Sequence, residues 1–210
     1  MIAVVDYGMG NLRSVAKALE RVGASVEVTS DPAHVAAADA VVLPGVGAFG
    51  RCMENLRAAG LDACVRDAAS SVRPFLGICL GMQLLFEESE EFGPVAGLGI
   101  LPGRVRRFSP RSPDVKVPHM GWNQLGMRLR APQLEGVSEG ENVYFVHSYY
   151  VDCDASLAAS VTRYDGDFVS SVWRGNLFAV QFHPEKSQAA GLKILANFAR
   201  LVHRPAGAIA

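Results

Sequence analysis

The 210-residue sequence predicts an α/β fold: a mostly parallel sheet with helices on both faces and an antiparallel extension, organised as one domain over 1–210. Three observations carry that expectation. Short apolar runs alternate with helix-period segments through the first half, the pattern of a parallel sheet covered on both faces. Strand-like runs then succeed one another through the second half. Half of the residues are hydrophobic and a fifth are charged, which suits a chain with a substantial core.

The elements follow in order. Ile2 to Val5 is an apolar run read as a buried strand. Leu12, Val15, Ala16 and Leu19 recur at helical spacing. Ser25 to Thr29 alternates as a strand does, and Ala40 to Leu43 is another apolar run, closed by Pro44-Gly45. Met53 to Ser70 reads as helix with an interruption at Gly60. Phe75 to Ile78 is a fourth strand, and Leu80 to Glu88 reads as a helix. Pro and Gly punctuate residues 93 to 136, which breaks up any long helix. Strand-like runs follow at Asn142 to Val151, Ser156 to Thr162, Phe168 to Trp173 and Leu177 to Phe182, with Gly175-Asn176 as a hairpin turn. Ala189 to Val202 is a closing helix with Leu192, Leu195, Ala196 and Phe198 inward. Arg104-Val105-Arg106-Arg107 reads as a solvated strand edge.

Bulk properties exclude several classes. The net charge is −1 and the pI near 6.5, so no electrostatic footprint for nucleic acid or anionic membrane is present. The first residues carry no signal-peptide pattern, and no apolar run is long enough to span a bilayer. The four cysteines Cys52, Cys64, Cys79 and Cys153 are scattered without a CxxC pair, which fits a reducing cytoplasm. His119, His147 and His183 lack metal-ligand spacing, so no zinc is expected. His34 and His203 read as surface residues. Gly8-Met9-Gly10 after the first strand lacks the third glycine of a dinucleotide fingerprint, because Arg13 stands there.

The most informative segment is Gly77-Ile78-Cys79-Leu80-Gly81, between an apolar strand and a helix. G-x-nucleophile-x-G in that setting is a nucleophile elbow. Its glycines are needed where side chains would collide with neighbouring elements. The turn lifts the thiol to a helix N-terminus, where the dipole favours thiolate, and the N–H of Leu80 can face a developing oxyanion. His183 ends the run Leu177 to Phe182, and Glu185 follows two residues later. On an extended segment the two share a face, so the carboxylate can orient the imidazole. Cys52, Cys64 and Cys153 read as structural.

These two motifs, Gly77 to Gln83 and Phe182-His183-Pro184-Glu185-Lys186-Ser187, resemble the class I (triad) glutamine amidotransferases. Further segments narrow the resemblance: Asp6-Tyr7-Gly8-Met9-Gly10-Asn11, Leu43-Pro44-Gly45-Val46-Gly47-Ala48-Phe49, Leu84 to Glu91, His119-Met120-Gly121-Trp122-Asn123 and Val146-His147-Ser148-Tyr149-Tyr150. Together they are similar to the glutaminase subunits of imidazole glycerol phosphate synthase over essentially the whole chain. The resemblance implies a flavodoxin-like, class I glutamine amidotransferase-like fold and a Cys79, His183, Glu185 triad. It implies an oxyanion hole from Leu80 and the Val46–Gly47 strand end, where two glycines flanking Val46 make a peptide flip inexpensive. It assigns Gly45, Gln83, Glu91 and the His147-Ser148-Tyr149 backbone to glutamine binding, and Asn11, Trp122 and Lys186 to a partner interface; Trp122 could equally be core.

The resemblance also implies the reaction. Cys79 attacks the glutamine amide, ammonia leaves, and water hydrolyses the thioester to glutamate. Free ammonia is mostly protonated in neutral water, so a (β/α)8-barrel cyclase partner is implied. That partner binds N'-[(5'-phosphoribulosyl)formimino]-5-aminoimidazole-4-carboxamide ribonucleotide and makes imidazole glycerol phosphate, in trans because this chain stops at residue 210. Two other readings stay open: the glutaminase of another pathway, and a non-catalytic regulatory protein on the same fold. An α/β-hydrolase arrangement is disfavoured, because there the acid precedes the histidine.

Overall fold

Strand β1 (Ile2–Val5) is buried at every position, as an apolar run without alternation requires. The computed structural model describes residues 1–110 and 115–202; His203 lies outside them. Helix α1 (Leu12–Arg21) buries Val15, Ala16, Ala18 and Leu19. Strand β2 (Val26–Thr29) is a sheet edge and is less buried. Helix α2 (Pro32–Ala37) has no counterpart among the sequence expectations. Its signals are Pro32 at the first turn and Asp31, whose side chain accepts from Ala33 N–H at 2.8 Å. Strand β3 (Ala40–Gly45) is wholly buried. The Met53 to Ser70 expectation resolves into α3 (Phe49–Ala58) and α4 (Asp62–Ser70), with Gly60 between them at φ +66°.

Strand β4 (Phe75–Cys79) runs into α5 (Leu80–Gln83). The expected helix to Glu88 is corrected here: it stops after one turn. The carbonyls a longer helix would use are taken by a distant segment. Leu84 O accepts from Leu98 N–H, Leu85 O from Ile100 and Leu101, and Phe86 O from Gly99. Leu84, Leu85 and Phe86 are still fully buried, so the apolar pattern was that of core and not of helix.

Short strands β5 (Glu88–Ser89), β6 (Val95–Ala96) and β7 (Arg104–Arg107) come next. β7 is not an edge: it lies between β5 and the later strand β11 (Tyr149–Asp152), with Val105 buried and its arginines exposed. Strands β8 (His119–Gln124) and β9 (Gly126–Met127) precede β10 (Asn142–His147). The expected single strand from Asn142 to Val151 breaks at Ser148. β10 pairs with β8 in a separate two-stranded sheet, whereas β11 joins the main one. Strands β12 (Ala158–Arg163), β13 (Asp167–Arg174) and β14 (Leu177–Val180) and helix α6 (Gln188–Leu201) close the chain. In α6, Ile194, Leu195 and Phe198 are fully buried; Leu192 and Ala196 are only partly so.

The main sheet is mixed. Its parallel block has the order β2-β1-β3-β4-β14, and β13, β11 and β7 extend it antiparallel. Alternation along the strands divides the core in two. Val41, Leu43 and Phe75 face α3 and α4, while Val42, Leu76, Ile78 and Phe178 face α1 and α6. The carboxyl ends of β3, β4 and β14 therefore lie side by side, where α/β sheets place their ligands.

Candidate active site

Cys79 ends β4 at φ 54°, ψ −114°. A non-glycine residue there is strained, and its neighbours hold it in place. A Cβ on Gly81 would lie 1.9 Å from Leu43 O, and one on Gly77 3.0 Å from Ala179 Cβ. Gly45 is equally constrained, since its Cβ would meet Gly81 N at 2.7 Å. Gly45 and Gly81 serve the close approach of β3 to the elbow, and Gly77 that of β14 and the α5 backbone to β4. Of Gly45, Gly47, Gly77 and Gly81, Gly47 alone has a positive φ, at +99°.

The sheet register runs to Gly45↔Cys79, so Val46 and Gly47 begin beside the sulfur. Pro44 O accepts from Tyr7 Oη at 2.7 Å, and Val46 O accepts from Cys52 Sγ at 3.5 Å. Burial pushes the Cys52 thiol up to about 11, so it stays a protonated donor. Val46 itself is exposed.

His183 follows β14. It is fixed by its own N–H to Tyr144 O at 2.9 Å and by Ser187, whose hydroxyl donates to His183 O at 2.7 Å and accepts from Tyr144 N–H at 2.9 Å. His183 Nδ1–H donates to Glu185 Oε1 at 2.8 Å, and the Glu185 side chain is fully buried. The pair forms differently from the sequence expectation. Glu185 sits in a 3-10 turn, Pro184–Lys186, and not on an extended segment. Burial pulls the His183 imidazolium down, but the facing Cys79 sulfur and the Glu185 carboxylate outweigh it and push the group up to about 10. His183 Nε2 is buried and makes no hydrogen bond to a described residue.

Cys79 and His183 line one cavity of about 340 Å³. Val46, Gly47, Leu80, Gln83, Glu91, Lys186 and the 147–149 segment also line it, as do Pro118 and Val146, which sequence reasoning did not single out. Gly45, Glu185, Asn11 and Trp122 do not. Gln83 Nε2 donates to Tyr149 O at 3.0 Å and to Gln181 Oε1 at 2.9 Å. Glu91 Oε2 accepts from Phe49 N–H at 2.6 Å and so caps α3. The wall at His147 is a buried imidazole pair. His147 Nδ1–H donates to Tyr149 O at 2.8 Å, and its Nε2 accepts from His119 Nδ1–H at 3.0 Å. At the rim, Trp122 packs edge-on to Tyr144, and Lys186 Nζ lies 5.8 Å from the Tyr144 ring centre. Trp122 is exposed, so it is not core. Asn11 begins α1 without making a side-chain cap.

Among the described residues no group of three or more His, Cys, Asp or Glu side chains could hold a metal ion, and no helix is long and apolar enough to cross a membrane. Gln181, Cys52 and Ser187 were not found from sequence. Gln181 carried one signal, a polar residue closing an otherwise apolar strand.

The glutamine amidotransferase class-I family model matches residues 3–202. Imidazole glycerol phosphate synthase subunit HisH of Syntrophotalea carbinolica is 57% identical over 94% of this chain and 98% of its own. The same subunit of Moorella thermoacetica is 52% identical over 99% and 98%. Among solved structures, one described as glutamine amidotransferase superposes with TM-score 0.73 at 20% identity, covering 96% of this chain and 99% of that one. PurLQS from Thermotoga maritima superposes with TM-score 0.65 at 19% identity, covering 96% of each. Those two likenesses speak for the fold, and the close relatives with the family match speak for descent: the chain belongs to the class-I glutamine amidotransferases, alongside the HisH subunits of imidazole glycerol phosphate synthase.

Proposed function

We propose that this protein is a glutaminase subunit that frees ammonia from glutamine through a thioester on Cys79 and delivers it to a cyclase making imidazole glycerol phosphate in histidine biosynthesis. One observation carries the reading: a strained Cys79 and a buried His183 with an unpaired Nε2 share a cavity, and Glu185 holds the far side of that imidazole. In the reaction, Cys79 gives its proton to His183 Nε2, and its sulfur bonds the amide carbon. Leu80 N–H and an N–H of the Val46–Gly47 segment hold the oxyanion. His183 returns the proton to nitrogen as the C–N bond breaks. Water, deprotonated by His183, then adds to the thioester; the C–S bond breaks and the proton returns to sulfur.

The hydrogen bonds already made leave specific atoms for glutamine. Gln83 has both N–H groups engaged and offers Oε1. Glu91 has one oxygen on Phe49 and offers the other to an ammonium. The backbone of His147-Ser148-Tyr149 faces the amino-acid end, and Gly45 lets β3 approach closely enough to complete the pocket.

Control by a partner has a physical basis in β3. Val46 follows β3 between two glycines, and Gly47 takes φ +99°, so the peptides there turn at low cost. Among the described residues, the Val46 carbonyl accepts from the Cys52 thiol. Turning these peptides would direct N–H groups at the oxyanion, and Val46 is exposed where a partner could press on it. We place a (β/α)8-barrel cyclase on the rim of Asn11, Trp122 and Lys186, forming a cytoplasmic heterodimer with lyase activity. The catalytic unit is the single domain 1–210, without a cofactor. Glutamate release measured with and without the barrel cyclase and its nucleotide tests the reading. Stimulation by both, abolished in Cys79→Ala while ammonia-dependent synthesis persists, is the expected result. Full turnover by the chain alone, or glutamine use surviving in Cys79→Ala, would overturn it.

A further inference from the structure

Gln181 lies just past β14 with its side chain fully buried, and the orientation of its carboxamide is dictated by an atom that cannot donate. Tyr149 O accepts only, so Gln83 must present Nε2 to it. The second N–H of Gln83 then points at Gln181, which must receive it with Oε1, 2.9 Å away. That leaves Gln181 Nε2 directed at Cys79 Sγ, 3.8 Å away. Neither end of the carboxamide is free to turn, and the contact joins the last residue of β4 to the residue just past β14, adjacent strands of the parallel block.

We propose that Gln181 is a further catalytic residue of this reaction, whose carboxamide N–H holds the Cys79 sulfur and stabilises it whenever it carries negative charge, with Gln83 as the positioning residue behind it. The inference rests on Cys79 being the nucleophile. A separation of 3.8 Å is long for a neutral thiol, which accepts weakly; a thiolate accepts more strongly and draws the donor in. The need is real, because α5 is a single turn and its dipole is correspondingly small. The sulfur is anionic at two moments, before it attacks the amide and as it leaves the thioester. In the thioester itself it is a poor acceptor. A donor there favours thiolate formation and expulsion of sulfur during hydrolysis, so its loss should slow deacylation more than acylation.

The test uses the chain alone, without glutamine or partner. Iodoacetamide alkylation of Cys79 is followed by peptide mass spectrometry across pH 5 to 9. Cys52 and Cys153, both pushed up to about 11 by burial, react slowly under these conditions. Gln181→Met keeps length and removes the donor. Gln181→Glu keeps the acceptor for Gln83 but turns an oxygen toward sulfur. The alkylation midpoint should rise in both, further in Gln181→Glu, with the pH 7 rate falling at least threefold in the first and tenfold in the second. In the unaltered protein, the Gln181 side-chain amide proton should move downfield through the same midpoint, a readout that needs no variant to fold. A wild-type alkylation profile in either folded variant, or an unmoved amide proton, overturns the inference and leaves the nucleophile assignment standing. Failure of Cys79 to react ahead of the other cysteines overturns both.

Discussion

Replacing Gly81 by alanine would put a methyl carbon 1.9 Å from Leu43 O and 2.8 Å from the Leu43 carbonyl carbon. A carbon–oxygen contact settles near 3.3 Å or beyond, so about 1.4 Å of separation must open between β3 and the elbow. The atoms met are all backbone of β3, within the parallel block, and no flexible side chain can yield. Overpacking of this kind costs about 1–3 kcal/mol, and the upper end applies here. For a chain this long that lowers the melting temperature by about 6–12 °C. The larger effect should be on turnover. The displaced strand carries Gly45, Val46 and Gly47, and the displaced turn carries Leu80 N–H. A misplacement of about 1 Å at such groups costs about 100-fold. Calorimetry and partner-stimulated glutamate release measure the two effects together. Gly23→Ala is the control, because its Cβ meets nothing within 4 Å although φ is +88°; it should lose about 1–2 kcal/mol of stability and no activity. Gly81→Ala melting within a degree of the parent, with turnover within threefold, would refute the argument that the elbow is set by close packing.

Glu185→Gln leaves the shape of the His183 contact but removes its charge; glutaminase turnover should fall by about 100-fold or more, and His183 should titrate well below its value of about 10, as followed by NMR of the ring. Cys52→Ala removes the donor that holds Val46 O; if that bond is worth about 1 kcal/mol, the partner-free glutaminase rate should rise about fivefold, and an unchanged or lower rate would dismiss the thiol as a restraint.

The elements legible in the sequence were those whose signals are local. β1, β3 and β4 are apolar runs, β3 closed by Pro44-Gly45 and β4 preceded by Pro74, and α1 has its apolar spacing and a glycine stop. What was illegible depends on partners far along the chain. Leu84 to Phe86 carry a helical apolar pattern, yet residues 98–101 capture their carbonyls. Asn142 to Val151 is a strand-like run without Gly or Pro, and only the different strands available to its two halves break it at Ser148. His183 and Glu185 do meet, but by way of a 3-10 turn seeded by Pro184. Glu91 sits in an acidic run whose wet-face appearance hides a contact to Phe49, 42 residues away. Gln181 gave a signal that could be read, polarity in an apolar strand, but its partners Gln83 and Cys79 emerge only from the sheet order.

The buried imidazole pair makes the pH dependence of folding a sharp test of the cavity wall. With His147 Nδ1–H committed to Tyr149 O and its Nε2 to His119, and with His119 Nε2 accepting from Asn123 Nδ2 at 3.2 Å, both rings must be neutral. Burial lowers His147 to about 3 and His119 to about 4. Both folded values lie below the unfolded value of about 6.5. Between those limits the unfolded chain binds more protons, so stability is lost as pH falls from about 6.5. His183 runs the other way. Its raised value makes its contribution complete below pH 6.5 and lost only as pH climbs toward 10, so it adds no slope in the acid window. At about 1.4 kcal/mol per pH unit for each fully shifted group, the pair should remove about 4 kcal/mol between pH 6.5 and 4.5. Carboxylates remain largely ionised through most of that range. Urea unfolding should register it as a fall in midpoint of more than about 1 M. A midpoint that stays level down to pH 5, or a His147 ring resonance that titrates near 6.5, would mean that the wall opens to water. The 147–149 backbone would then lose the rigidity that the proposed glutamine site requires of it.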